Sequence, residues 1–169
     1  MKRIILVLIS VVMLFTACEN TLNDSDTNQT NPFDNITLRM TVVEFIDTVG
    51  RQPDSIVKAL DHDRYDECYI YKNEEFFGVN AHYIKCYVKD YELDRIEAWY
   101  EYDDELEEEQ DYLTLKEEIL KRYPEGVLYS DYYDEREFSI EMEHYDVYLY
   151  YMDHTIMILI SDFLKSTES

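Results

Sequence analysis

Apolar positions recur at two different spacings along this chain, and the alternation between them marks out the elements. In TVVEFIDTVG, Val42, Phe45, Ile46 and Val49 fall at helical spacing, and Gly50 ends the run. Thr41 and Glu44 stand where a capping box needs them. Pro53 suits a first helical position, so PDSIVKALD predicts a second short helix. Period-2 blocks follow. ECYIY sets Cys68 and Ile70 against Tyr69 and Tyr71. HYIKCYVK sets Ile84, Cys86 and Val88 against Tyr83, Lys85 and Tyr87. DRIEAWYE sets Ile96, Ala98 and Tyr100 against Arg95, Glu97 and Trp99. Such alternation predicts an antiparallel sheet with one covered face. In DDELEEEQDYLTLKEEILKRYPEG the stripe is Tyr112, Leu115, Ile119, Leu120 and Tyr123, with acids at the start and Lys121 and Arg122 at the end, as a helix dipole favours. REFSIEME, DVYLYYM and TIMILIS repeat the strand pattern, with a tight turn at 152–155. The expected fold is α+β: an antiparallel sheet with helices on one face, built from tandem α-β-β-β units.

The amino terminus has a different character. Lys2 and Arg3 precede an apolar run over 4–15 broken only by Ser10. At ~1.5 Å per residue the run reaches about 18 Å, short of the ~30 Å hydrocarbon core of a bilayer. A charged start, a short apolar segment and small residues at its end describe a secretory signal. Thr16 and Ala17 are those small residues, and Cys18 follows at once. This resembles the lipobox of bacterial lipoproteins, with Phe15 where that pattern prefers an aliphatic residue. The resemblance implies diacylglyceryl transfer to Cys18, cleavage just before it and acylation of the new amino group. Two or three acyl chains hold a protein on a bilayer where one does so only marginally. The expected organisation is a signal over 1–17, a lipidated cysteine with a polar flexible tether over 18–38, and one α+β domain over 39–165, with halves 41–102 and 103–165.

An α-β-β-β unit used twice resembles the β-lactamase-inhibitor-protein fold, and a single unit resembles the small lipoproteins of the outer-membrane barrel-assembly machinery. Residues of roughly 65–126 are similar to a stretch common in uncharacterised secreted or lipid-anchored bacterial proteins, matching at Phe76, Phe77, Gly78, Leu93 and Ile96 and in the following helix DYLTLKEEILKRYPEG. The resemblance implies a fold and a tendency to bind other proteins. It transfers no catalytic residues.

Charge and composition narrow the functional classes. The net charge is −23, with 38 acidic residues against 15 basic ones, which repels phosphate backbones and argues against nucleic-acid binding. Gly50, Gly78 and Gly126 are the only glycines, too few for a phosphate cradle. Neither His-Glu-x-x-His nor Gly-x-Ser-x-Gly occurs, and the four histidines are scattered. The acids over 103–109 read as a solvated helix start. No enzyme activity, cofactor or metal is expected.

Two features invite a functional reading. After lipidation of Cys18, Cys68 and Cys86 are the only cysteines left, in a compartment that permits oxidation, so the pattern leaves open a Cys68–Cys86 disulfide or two buried thiols. All 17 tyrosines lie between Tyr65 and Tyr151, mostly on strands. β-propensity and half-burial account for many of them. The sharper reading is an exposed aromatic face of Tyr69, Tyr71, Tyr83, Tyr87 and Trp99 on which a partner docks. The whole then reads as a non-enzymatic binding or accessory protein, lipid-anchored outside the cytoplasm in the bacterial envelope, with a protein partner that the acidity suggests is basic. The alternatives are an inhibitor or immunity lipoprotein against a basic enzyme or toxin, and an envelope-assembly scaffold.

Overall fold

Thr41 and Glu44 form the capping box. The Thr41 hydroxyl accepts the Glu44 backbone N–H, and the Glu44 carboxylate accepts the Thr41 N–H at 2.9 Å. Two amides that a helix start leaves unpaired are thereby satisfied. In the computed structural model, which describes residues 31–58, 64–130 and 138–162, this cap opens α1 (Val42–Val49). Gly50 closes it at φ 72°, a left-handed conformation cheap only for glycine.

Strands β1 (Ser55–Lys58), β2 (Glu67–Phe76), β3 (Val79–Lys89) and β4 (Glu92–Glu101) follow α1. Helix α2 (Glu105–Arg122) comes next, then β5 (Val127–Ser130), β6 (Phe138–Glu141), β7 (Asp146–Met152) and β8 (Thr155–Ser161). All eight strands join one antiparallel sheet in the order β1-β2-β3-β4-β8-β7-β6-β5. One helix precedes β1–β4 and one precedes β5–β8, and β4 meets β8 at the centre. The class is α+β, with sheet dominant.

The second short helix expected after Pro53 is not there: Ser55–Lys58 is β1, paired with β2. Its tie to the sheet is Asp54, whose carboxylate accepts the Lys72 N–H at 2.8 Å and whose own N–H donates to the Ile70 carbonyl. β-branched Ile56 and Val57 suit the strand that results. β5 is a further strand that the alternation pattern passes over. Four strands rather than three therefore follow each helix.

Both helices pack on one face of the sheet. Phe45 and Val49 of α1, and Tyr112, Leu115 and Ile119 of α2, join a core with Ile84, Ile96, Ala98, Ile158 and Leu149 from the strands. Asp104 caps α2, accepting the Leu106 and Glu107 N–H groups. The turn between β2 and β3 places Phe77 and Gly78 at φ 53° and 77°, the two-residue hairpin geometry that matches strand twist. Phe77 bears that cost against its own packing: it is buried, with its ring 4.5 Å from Phe76 and beneath Arg122 at 4.4 Å.

The domain reaches further back than the 38/39 boundary. Phe33, in a short 3-10 turn over Pro32–Asn35, is fully buried and meets the Tyr71 ring edge-on at 5.1 Å. Arg39 and Met40 exchange backbone hydrogen bonds with Leu93. The described part of the expected tether is therefore folded against the sheet. Cys18 and the signal region lie outside the described residues.

Candidate interaction face

The other face of the sheet carries the alternate residues. Register sets Tyr83 beside Trp99, Lys85 beside Glu97 and Tyr87 beside Arg95. It continues with Met157 beside Trp99 and Leu159 beside Glu97, then Tyr150 beside Met157 and Tyr148 beside Leu159. Paired residues of an antiparallel ladder share a face, so these side chains form one surface across β3, β4, β8 and β7. Both helices bury their stripes on the opposite side. Tyr83, Tyr87, Trp99, Tyr148 and Tyr150 are half-buried, with Cys68, Glu97 and Leu159 buried among them.

Glu97 organises the centre. It is only 5% exposed, and a buried carboxylate is costly unless its lone pairs are used. Here they are used: Trp99 donates its indole N–H at 3.0 Å, Tyr87 donates its hydroxyl at 3.1 Å, and Arg95 forms an ion pair. Burial, reinforced by the Glu97 charge, pushes the Tyr87 hydroxyl far above its ordinary range, so it remains a neutral donor. Cations rest over the rings of this half. Lys85 lies 4.9 Å from the Trp99 centroid, Arg95 5.5 Å from Tyr87 and Lys72 5.8 Å from Tyr83. Tyr65 packs against Tyr87 at 5.0 Å and closes one end.

The β7–β8 half is more neutral. Tyr148 and Tyr150 stack at 5.7 Å with their planes 10° apart, and Tyr148 donates to Asp146 at 3.1 Å. Burial first, then the Asp146 charge, pushes the Tyr148 hydroxyl up to about 12. Burial also raises the Asp146 carboxyl, against the opposing effect of the Tyr148 hydrogen bond.

Of the five aromatic residues read as a docking face, three are on this surface and two are not. Tyr69 and Tyr71 sit on the helix side, 5% and 0% exposed. Their strand has the opposite phase to the expected one: Tyr69 pairs with Cys86 and Tyr71 with Ile84, while Cys68 pairs with Tyr87. The reason is volume. Phe45 meets both tyrosine rings edge-on, at 6.0 and 5.9 Å, and only large side chains bridge from β2 to α1. The same phase separates the cysteines. Cys68 lies on the ring-bearing face and Cys86 in the core, both free. Of the two readings left open for these cysteines, the structure has the two buried thiols rather than the disulfide. Burial pushes the Cys68 thiol up to about 11 and Cys86 well above the usual range.

A concavity of about 640 Å³ opens between the β2–β3 turn, the end of β4 and the start of α2. Its wall includes His82, Glu101, Asp103, Asp104, Glu107 and Asp111. His82 Nδ1 accepts the Glu101 N–H at 3.1 Å, and Asp111 accepts the Tyr102 hydroxyl at 3.1 Å. Among the described residues, no three His, Cys, Asp or Glu side chains are grouped to hold a metal ion. Nor is any helix among them long and apolar enough to cross a membrane.

Glu97, Lys85, Arg95, Tyr148 and Tyr150 complete the face, and strand parity alone places the first three beside Tyr83, Tyr87 and Trp99. No protein-family model matches the chain, nor does any curated protein or solved structure.

Proposed function

We propose that this chain is a non-enzymatic binding or accessory protein of the bacterial envelope, lipid-anchored through Cys18 outside the cytoplasm, whose ring-bearing sheet face docks a protein partner. The observation that carries the docking reading is the half-buried state of Tyr83, Tyr87 and Trp99 on the face opposite both helices. Rigid rings pre-oriented by Glu97 lose little entropy when a partner covers them. The anchor rests on the charge, length and cysteine position of the first 18 residues. The repeated order of one helix and four strands supports reading the domain as a single unit used twice.

A photo-cross-linking amino acid at position 83 in cells tests the docking. A discrete adduct from position 83, with none from exposed position 113 on α2, is the expected result. Equal labelling from both positions, or none from 83, refutes docking on this face. For the anchor, Cys18→Ser is expected to abolish fatty-acid labelling and partitioning into detergent; retained labelling removes that part of the reading.

A further inference from the structure

We propose that the partner presents an acidic protein segment to this face, its carboxylates held by Lys72 and Lys85 and its apolar side chains packed on Tyr83 and Trp99. The inference rests on the docking reading and specifies the partner's chemistry. Acids outnumber bases 38 to 15 in this chain, so a lysine could readily have been given an acidic neighbour. Arg39, Arg51, Lys58, Lys121 and Arg122 all have one, whereas Lys89 on a strand end and Lys116 on the helix side have none among the described residues. Lys72 and Lys85 have no ion pair among the described residues and lie over rings instead. Lys85 stands directly across from Glu97, yet that carboxylate is taken by Arg95, Tyr87 and Trp99. Asp54 is likewise engaged, by the Lys72 backbone N–H and by Arg51.

The register pairs Lys72 with Tyr83 and Ile70 with Lys85, so the two lysines are diagonal neighbours, about 7–8 Å apart by ladder geometry. Neither lysine is in an ion pair with a described residue, so an anion placed between them draws on both ammonium groups. Around them lie rings and Ile70, Met157 and Leu159, which favour a polypeptide bearing both carboxylates and apolar side chains. The Lys72–Lys85 patch is thus cationic within a face that also carries Glu97 and Asp146. This reverses the partner charge that the composition suggests.

The sole tryptophan lies under Lys85 and reports directly. The mature lipoprotein in non-ionic detergent at pH 7 is titrated with poly-L-glutamate, poly-L-lysine and dextran sulfate while Trp99 emission is followed. Poly-L-glutamate is expected to change the emission saturably. Its apparent affinity is expected to fall with added salt and at least tenfold in Lys72→Gln/Lys85→Gln. Lys72→Gln alone, at an exposed position, is expected to lose several-fold and serves where the double variant is unstable. The proposal is overturned by any of three results: no response to poly-L-glutamate, an equal response in the variants, or a Trp99 response confined to poly-L-lysine or to dextran sulfate. The last would mark a sulfated-glycan face. A position-83 adduct in cells together with any of these results removes the acidic partner and leaves docking standing; absence of the adduct removes both.

Discussion

Removing the carboxylate of Glu97 strips three donors of their acceptor at once. Glu97→Ala leaves the Trp99 N–H, the Tyr87 O–H and the Arg95 guanidinium unmatched. A hydrogen bond to a charged group contributes ~1.5–3 kcal/mol, and breaking a buried ion pair costs ~3–5 kcal/mol. Those figures do not add here. Both rings are half-buried and recover part of their bonding from water, and the Arg95 side chain retains 23% exposure. About 1 kcal/mol for each of the three donors, or ~3 kcal/mol in total, is the expected loss. A domain with 5–15 kcal/mol of stability survives it. Glu97→Gln keeps an acceptor and loses the charge, so it is expected to cost about half as much. Urea unfolding followed by circular dichroism measures both. With m of ~2 kcal/mol/M, the midpoint is expected to fall by about 1.5 M for the alanine variant at unchanged m. Trp99 emission is expected to shift in the folded alanine variant, because its indole N–H loses its partner. A loss under ~0.5 kcal/mol, the range of ordinary surface substitutions, refutes the reasoning. So does a glutamine variant less stable than the alanine one.

Other consequences are independent of Glu97. Leu115→Ala, at a fully buried position on α2, is expected to cost ~2–5 kcal/mol in urea unfolding, and Leu113→Ala, 58% exposed, under ~0.5 kcal/mol. The mature, unreduced protein is expected to show two titratable thiols in guanidinium and none when folded at pH 8, because Cys68 and Cys86 are free, buried and raised in pKa; no thiols in guanidinium would restore the disulfide. Asp146→Asn is expected to raise the thermal midpoint at pH 7. The folded Asp146 pKa lies above its free value of ~3.9, so its charged form is disfavoured by folding. The destabilisation is absent below the free value and appears as pH rises through the folded one. The gain is therefore expected to vanish near pH 3, and a gain that persists there contradicts the assignment.

Local rules made part of this fold legible. The Thr41–Glu44 box and Gly50 bound α1 from sequence alone, since caps are chemistry within four residues. Period-2 alternation set the faces of β3 and β4 correctly and with them the positions of Tyr83, Tyr87 and Trp99. On β2 the same rule misled, because Ile70 is the most hydrophobic residue of its run while Tyr69 and Tyr71 are the ones long enough to meet Phe45. Amphipathic tyrosines belong on either face, and tertiary volume decides between them. β1 was masked by Pro53, which starts helices and precedes strands alike; the Asp54 contacts that select the strand come from residues 70 and 72. Phe33 stands alone in a polar stretch, so no period marks it as core. Glu97 looks like an ordinary solvent-side acid until the register surrounds it with Arg95, Tyr87 and Trp99.

The proposed docking and its acidic partner both require that the β2–β4 part of the ring-bearing face be open in the free molecule. Trp99 is the only tryptophan and stands in the middle of it. Acrylamide quenching of Trp99 emission in the isolated mature protein is therefore the most direct measurement. Substantial quenching in the folded state, lessened when a ligand covers the face, is the predicted result. A blue-shifted emission that acrylamide does not reach would place the ring in an interior and contradict the account.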